Sequence, residues 1–111
     1  MLLVEDEILV RMAGADMVTD LGHTVHEAGS AEEALRVLEQ ERVDVVITDI
    51  GLPGISGMSL VAQVQERWPA IRIVIASGYT RPPDAADTLG DSVRWLSKPF
   101  DLTSLGQVLE N

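Results

Sequence analysis

Short apolar runs alternate with helix-period stretches five times along this chain, and few folds accept that rhythm. The runs are "MLLV" (1–4), "HTVHEA" (23–28), "VDVVITD" (43–49), "IRIVIA" (71–76) and "VRWL" (93–96). Near-continuous apolar character, rather than strict alternation, marks strands covered on both faces. The intervening segments repeat apolar residues at helical spacing. In 7–22, Ile8, Met12, Ala15 and Val18 share a side, and Gly22 is the stop. In 30–41, Ser30 and Glu33 form a capping box, with Ala34, Leu35 and Leu38 inward. In 57–68, Leu60, Val61, Val64 and Trp68 face inward, and Pro69 closes the helix. The stretch 83–90 is a weak short helix after a Pro-Pro pair. The last, 101–110, is capped by Asp101 and turns Leu102, Leu105, Val108 and Leu109 inward. Such a (βα)5 chain is an α/β fold: a parallel sheet wound on both faces, with right-handed crossovers.

Composition narrows the setting. A chain of 111 residues, 46% hydrophobic, suits one domain with one core over 1–111. No cysteine is present, which excludes disulfides, thiolate metal sites and a cysteine nucleophile, and suits a reducing cytoplasmic setting. No apolar run approaches the roughly 20 residues that span a bilayer. The acids of "MLLVEDEILV" come too early for a signal peptide, so no membrane partner is expected. A formal net charge of −10 has the wrong sign for non-specific nucleic-acid binding.

In an open sheet of this kind, ligands bind beyond the carboxyl ends of the strands. Glu5, Asp6 and Glu7 follow the first strand, Asp49 ends the third, Ser77, Gly78 and Tyr79 follow the fourth, and Ser97 and Lys98 follow the fifth. The second strand is the most polar and fits an edge. The doubly wound, flavodoxin-like order 2-1-3-4-5 then makes these residues converge, with neighbouring strands about 4.8 Å apart. Crowded carboxylates need a cation, and an all-oxygen ligand set favours Mg²⁺ or Mn²⁺. With a lysine and a hydroxyl added, the rim suits a phosphoryl group, and a carboxylate can be its acceptor.

Four segments, "LLVEDE", "VVITDIGLPGISG", "IVIASGY" and "WLSKPF", stand in an order and spacing that resemble the receiver domains of two-component response regulators. The resemblance covers the whole chain. It implies a phosphorylation-dependent switch whose phosphoacceptor is Asp49. It implies Glu5, Asp6, Asp49 and the Gly51 carbonyl as metal ligands, with Glu5 acting largely through water. Ser77, Gly78 and Lys98 would bind phosphoryl oxygens, and the Lys98–Pro99 peptide would be cis. Ser77 and Trp95 would carry the switch. The implied partner is a histidine kinase or histidine phosphotransfer protein, and the resemblance allows a homodimer formed on phosphorylation. Self-phosphorylation and self-dephosphorylation are implied, without the turnover of an enzyme. Five features depart from the pattern: Glu-Asp as the acidic pair, "LPGISG" as the loop, Trp95 as a larger switch aromatic than usual, "TRPPDAADTLG" as a poor fourth helix, and a first strand of four residues, which implies either a trimmed start or a short strand.

Blander readings stand beside these. Asp49 could cap a strand-end turn, Glu5 and Asp6 could favour a helix dipole, and Trp95 could serve packing alone. A Mg²⁺-dependent aspartyl-phosphate phosphatase would carry a second acid two residues past its nucleophile, where Gly51 stands. A pseudo-receiver would lack an acid or the lysine. His23 and His26, three apart in a strand, would point to opposite faces and lie on the surface. Met12, Met17 and Met58 read as filler of the core or of helix faces.

Overall fold

The structure, a computed structural model, describes residues 1–49, 54, 57–77, 93–97 and 100–109. Five parallel strands, β1 (Leu2–Val4), β2 (His26–Ala28), β3 (Val45–Asp49), β4 (Arg72–Ser77) and β5 (Val93–Ser97), form one sheet in the order β2-β1-β3-β4-β5. The expected order therefore holds, and β1 is short, with three residues. Four described helices accompany the strands: α1 (Ile8–Asp20), α2 (Ala31–Gln40), α3 (Gly57–Arg67) and α4 (Leu102–Leu109). The helix expected over 83–90 lies outside the described residues.

Side-chain alternation along each strand divides the interior into two layers. Leu2, Val4, Val46, Ile73 and Ile75 pack with Ala34, Leu38, Leu60, Val61 and Val64 of α2 and α3. Leu3, Val45, Ile47, Val74 and Leu96 pack with Ala15, Val18 and Leu105 of α1 and α4. Both faces of β1, β3 and β4 are thus buried, which is why their sequences lack a polar side.

Local chemistry sets several boundaries. Gly22 ends α1 at φ +92°, a left-handed conformation that costs a residue with a Cβ. There the His23 N–H donates to the Val18 carbonyl at 3.2 Å and the Gly22 N–H to that of Thr19 at 2.9 Å, a Schellman closure. Ser30 caps α2 by accepting the Glu33 N–H at 3.2 Å. The Glu33 carboxylate turns back to the Gly29 N–H at 3.2 Å, so the return arm of the capping box reaches one residue further out. Asp101 accepts the Ser104 N–H at 2.8 Å, and the Ser104 hydroxyl oxygen accepts the Asp101 N–H at 3.0 Å.

The side that Ile8 and Met12 share with Ala15 and Val18 is not buried along its whole length. Ile8 and Met12 are 62% and 54% exposed, while Ala15 and Val18 are buried. The cause is where α1 touches the sheet. It packs through small residues in its middle, where a Cβ on Gly14 would come within 3.0 Å of Leu3 Cδ2. Its first turns stand clear of that contact, with Ile8, Leu9 and Met12 largely in solvent. Leu102, at the start of α4, is likewise exposed rather than inward. β2 begins at His26, so His23 lies outside the strand and the opposite-face argument does not apply to it. His23 is exposed and His26 half-buried. Trp68 packs against the α2–α3 layer as expected.

Candidate functional site

The sheet's register builds the rim. Val4 pairs with Thr48, so the residues that follow, Glu5 and Asp49, stand level on neighbouring strands. Asp49 in turn pairs with Ala76 of β4, and Ser77, one step further, pairs with Ser97 of β5. The carboxylates of Glu5, Asp6 and Asp49 converge, each offering an oxygen within 4.8 Å of the others. Glu5 is buried, Asp49 half-buried and Asp6 exposed, a gradient from the interior to solvent.

Main-chain contacts fix this turn. The Glu5 N–H donates to the Ala28 carbonyl at 3.0 Å, extending the β1–β2 ladder by one bond. The Glu7 N–H makes a long 3.5 Å contact with the Glu5 carboxylate. Glu7 occupies the N-cap of α1 without a side-chain capping bond of its own. Thr48 is fully buried, and its hydroxyl donates to the Asp49 carbonyl at 3.0 Å. A small cavity of about 10 Å³ opens beside Glu5 and Asp49, with Thr48, Ala76 and Phe100 in its wall.

Of the loop after Asp49, Gly54 is described. Its φ is +72°, which glycine adopts readily, and a Cβ there would lie 2.9 Å from Glu32 Oε1. Gly51, Gly78, Lys98 and the Lys98–Pro99 peptide lie outside the described residues. Trp95 is half-buried and packs against the α2–α3 layer, beside Ile75 across the sheet.

Three acids packed this closely repel one another, and an array of carboxylate oxygens matches a hard divalent cation. Among the described residues the donor set is all oxygen, so the fit is to Mg²⁺ rather than to a thiophilic metal.

Two neighbours of the site escaped the sequence reading. Arg11 donates through Nη1 to the Glu5 carbonyl at 2.9 Å, and its Nε lies 3.5 Å from Glu27 Oε1. A signal existed: Arg11 is the sole lysine or arginine before Arg36, and it follows three consecutive acids. The second neighbour is an apolar groove of about 480 Å³ lined by Leu9, Val10, Ala13, Met17 and Phe100. Phe100 borders both this groove and the small cavity at the acids.

This chain belongs to the response regulator receiver domain family, whose model matches residues 1–110. It is 37% identical over 112 residues to the sensor kinase CckA of Brucella abortus, an alignment covering 98% of this chain and 12% of that kinase. Across the first curated relatives it spans a quarter or less of their length. Its fold is similar to that of the chemotaxis protein CheY4 of Vibrio cholerae, with a TM-score of 0.89 and 28% identity over 98% of this chain and 93% of the other. It is also similar to the response regulator TrrA of Thermotoga maritima, solved in complex with Mg²⁺-BeF, with a TM-score of 0.87 and 25% identity over 98% and 94% of the two chains. No described helix is long and apolar enough to cross a membrane.

Proposed function

We propose that this receiver domain is a Mg²⁺-dependent switch that accepts a phosphoryl group on Asp49 from a phosphohistidine of a kinase or phosphotransfer protein in the cytoplasm. The observation that carries the reading is the convergence of the Glu5, Asp6 and Asp49 carboxylates on one rim of the sheet. An Asp49 oxygen forms a bond to phosphorus as the P–N bond breaks. The departing nitrogen keeps the electron pair, and a proton on the other ring nitrogen leaves the imidazole neutral. Bound Mg²⁺ supplies positive charge against the acids and the phosphoryl oxygens. Glu5 and Asp6 hold that ion with Asp49 and the Gly51 carbonyl, while Ser77, Gly78 and Lys98 hold the phosphoryl oxygens. These last roles rest on the family's pattern at matching positions.

The exposed apolar start of α1 supports a protein donor. Leu9 is 81% exposed, and the groove beside it shares Val10 and Phe100 with the small cavity at the acids. A donor that seats apolar side chains there brings its phosphohistidine to Asp49. Phosphorylation adds about −1.5 to −2 charges. Ser77 and Lys98 then draw toward the phosphate, and Trp95 responds, biasing the surface around β5 and α4. The domain catalyses its own phosphorylation and hydrolysis, without acting on other substrates.

Incubation with Mg²⁺ and radiolabelled acetyl phosphate tests this. Label on the wild type and none on Asp49→Asn is expected. An unlabelled wild type, or equal label on both, rejects the reading.

A further inference from the structure

We infer that Arg11 is a positioning residue for the acid pair, holding the Glu5–Asp6 turn in its cation-binding conformation through the Glu5 carbonyl. The inference rests on the Mg²⁺ site proposed above and adds the device that keeps it in shape. Two contacts and a gap define the device. Arg11 Nη1 donates to the Glu5 carbonyl at 2.9 Å, and Nε faces Glu27 Oε1 at 3.5 Å. Gly29 leaves room for the guanidinium, because a Cβ there would fall 2.8 Å from Nη1. One planar group on α1 thus ties the end of β1 to the end of β2 across the edge of the sheet. Its side chain is 21% exposed, shielded enough for the geometry to persist. The Glu5 carbonyl directly precedes the Asp6 amide, so a bond there restrains the peptide plane that aims both carboxylates. Groups that orient metal ligands in this way commonly govern affinity by 10–100-fold.

Charge and geometry give opposite signs here, which makes the role measurable. A cation beside a cation site repels the ion, so deleting a merely adjacent arginine tightens Mg²⁺ binding. Deleting a positioning arginine weakens it. Gly29→Ala provides a second, charge-neutral probe. Gly29 does not adopt a positive φ, and the atom it would meet is the tip of a flexible side chain, so the guanidinium moves and the backbone stays.

Mg²⁺ affinity of the unphosphorylated protein is measured by isothermal titration calorimetry for wild type, Arg11→Ala, Arg11→Lys and Gly29→Ala, with circular dichroism as the fold check. About tenfold weaker binding is expected for Arg11→Ala. A smaller loss in the same direction is expected for Gly29→Ala and for Arg11→Lys, which keeps the charge but not the planar fork. Gly29→Ala added to Arg11→Ala should weaken binding no further. Unchanged or tighter binding in Arg11→Ala, or full retention of affinity in Gly29→Ala, overturns the positioning role and leaves the Mg²⁺ site standing. A wild type that binds no Mg²⁺ overturns both.

Discussion

Glu5 and Asp49 stand level on adjacent parallel strands, one residue beyond the Val4–Thr48 pair, although 44 positions separate them in the chain (49 − 5). The register of β1 against β3 therefore decides whether the acids meet. A one-residue slip would turn one of them to the other face of the sheet.

Crowding of the acids gives the first prediction. Without a divalent cation, Asp6→Asn relieves like-charge repulsion and should raise stability by up to about 1 kcal/mol. In millimolar Mg²⁺ the order should invert, because the wild type gains binding free energy that the variant has largely lost. Thermal melts with and without Mg²⁺ check the inversion. A variant less stable in both conditions would show that the acids do not repel in the free protein.

The exposed start of α1 gives the second. Leu9→Ser should change stability by less than about 0.5 kcal/mol, since Leu9 is mostly in solvent. Labelling by acetyl phosphate should stay unchanged, while phosphotransfer from a cognate donor protein slows several-fold. Equal loss in both assays would place Leu9 in the chemistry rather than in docking.

Gly22 gives the third. Its side-chain direction is open space, so Gly22→Ala meets no clash, and its effect isolates the backbone conformation at φ +92°. A loss of about 1–2 kcal/mol in urea unfolding is expected. No loss would mean that the end of α1 relaxes without cost.

Asp101 gives a pH-dependent prediction. Bonds from the Ser104 N–H and hydroxyl hold its carboxyl below the ordinary 3.8. A carboxylate with a lowered folded-state value binds fewer protons folded than unfolded in the acid range. Its stabilising effect is thus present above that ordinary value and is lost as pH falls through the depressed one. Asp101→Ala should melt lower than wild type near neutrality, and the gap should close as the pH drops through that acid range. A constant gap would separate the cap from its charge.

The core sets the scale against which these effects are read. Leu60 is fully buried between the sheet and α3. Leu60→Ala should cost about 2–5 kcal/mol, measured by denaturant midpoint. A loss below 1 kcal/mol would imply that the α2–α3 layer repacks freely.

Much of this architecture was legible in the residues. Strands buried on both faces must be apolar almost throughout, so "VDVVITD" and "IRIVIA" declare themselves, and the polar second run marks an edge. Caps are local too, and Ser30, Asp101 and Gly22 act where they stand. Helix faces were less legible at the rim. Ile8, Met12 and Leu102 have the spacing of buried residues, yet each lies in the first turns of its helix, where the sheet no longer lies beneath.

Periodicity and end chemistry are properties of neighbouring residues, so the strands, the helix stops and the identity of the acids follow from the chain read in order. The meeting of Glu5 and Asp6 with Asp49, the clasp of Arg11 on the Glu5 carbonyl and the exposed apolar start of α1 depend on contacts between segments far apart in the chain. Those contacts arise only when strands pair in one register and helices settle on the sheet, because distance in space is set by packing and not by position along the chain.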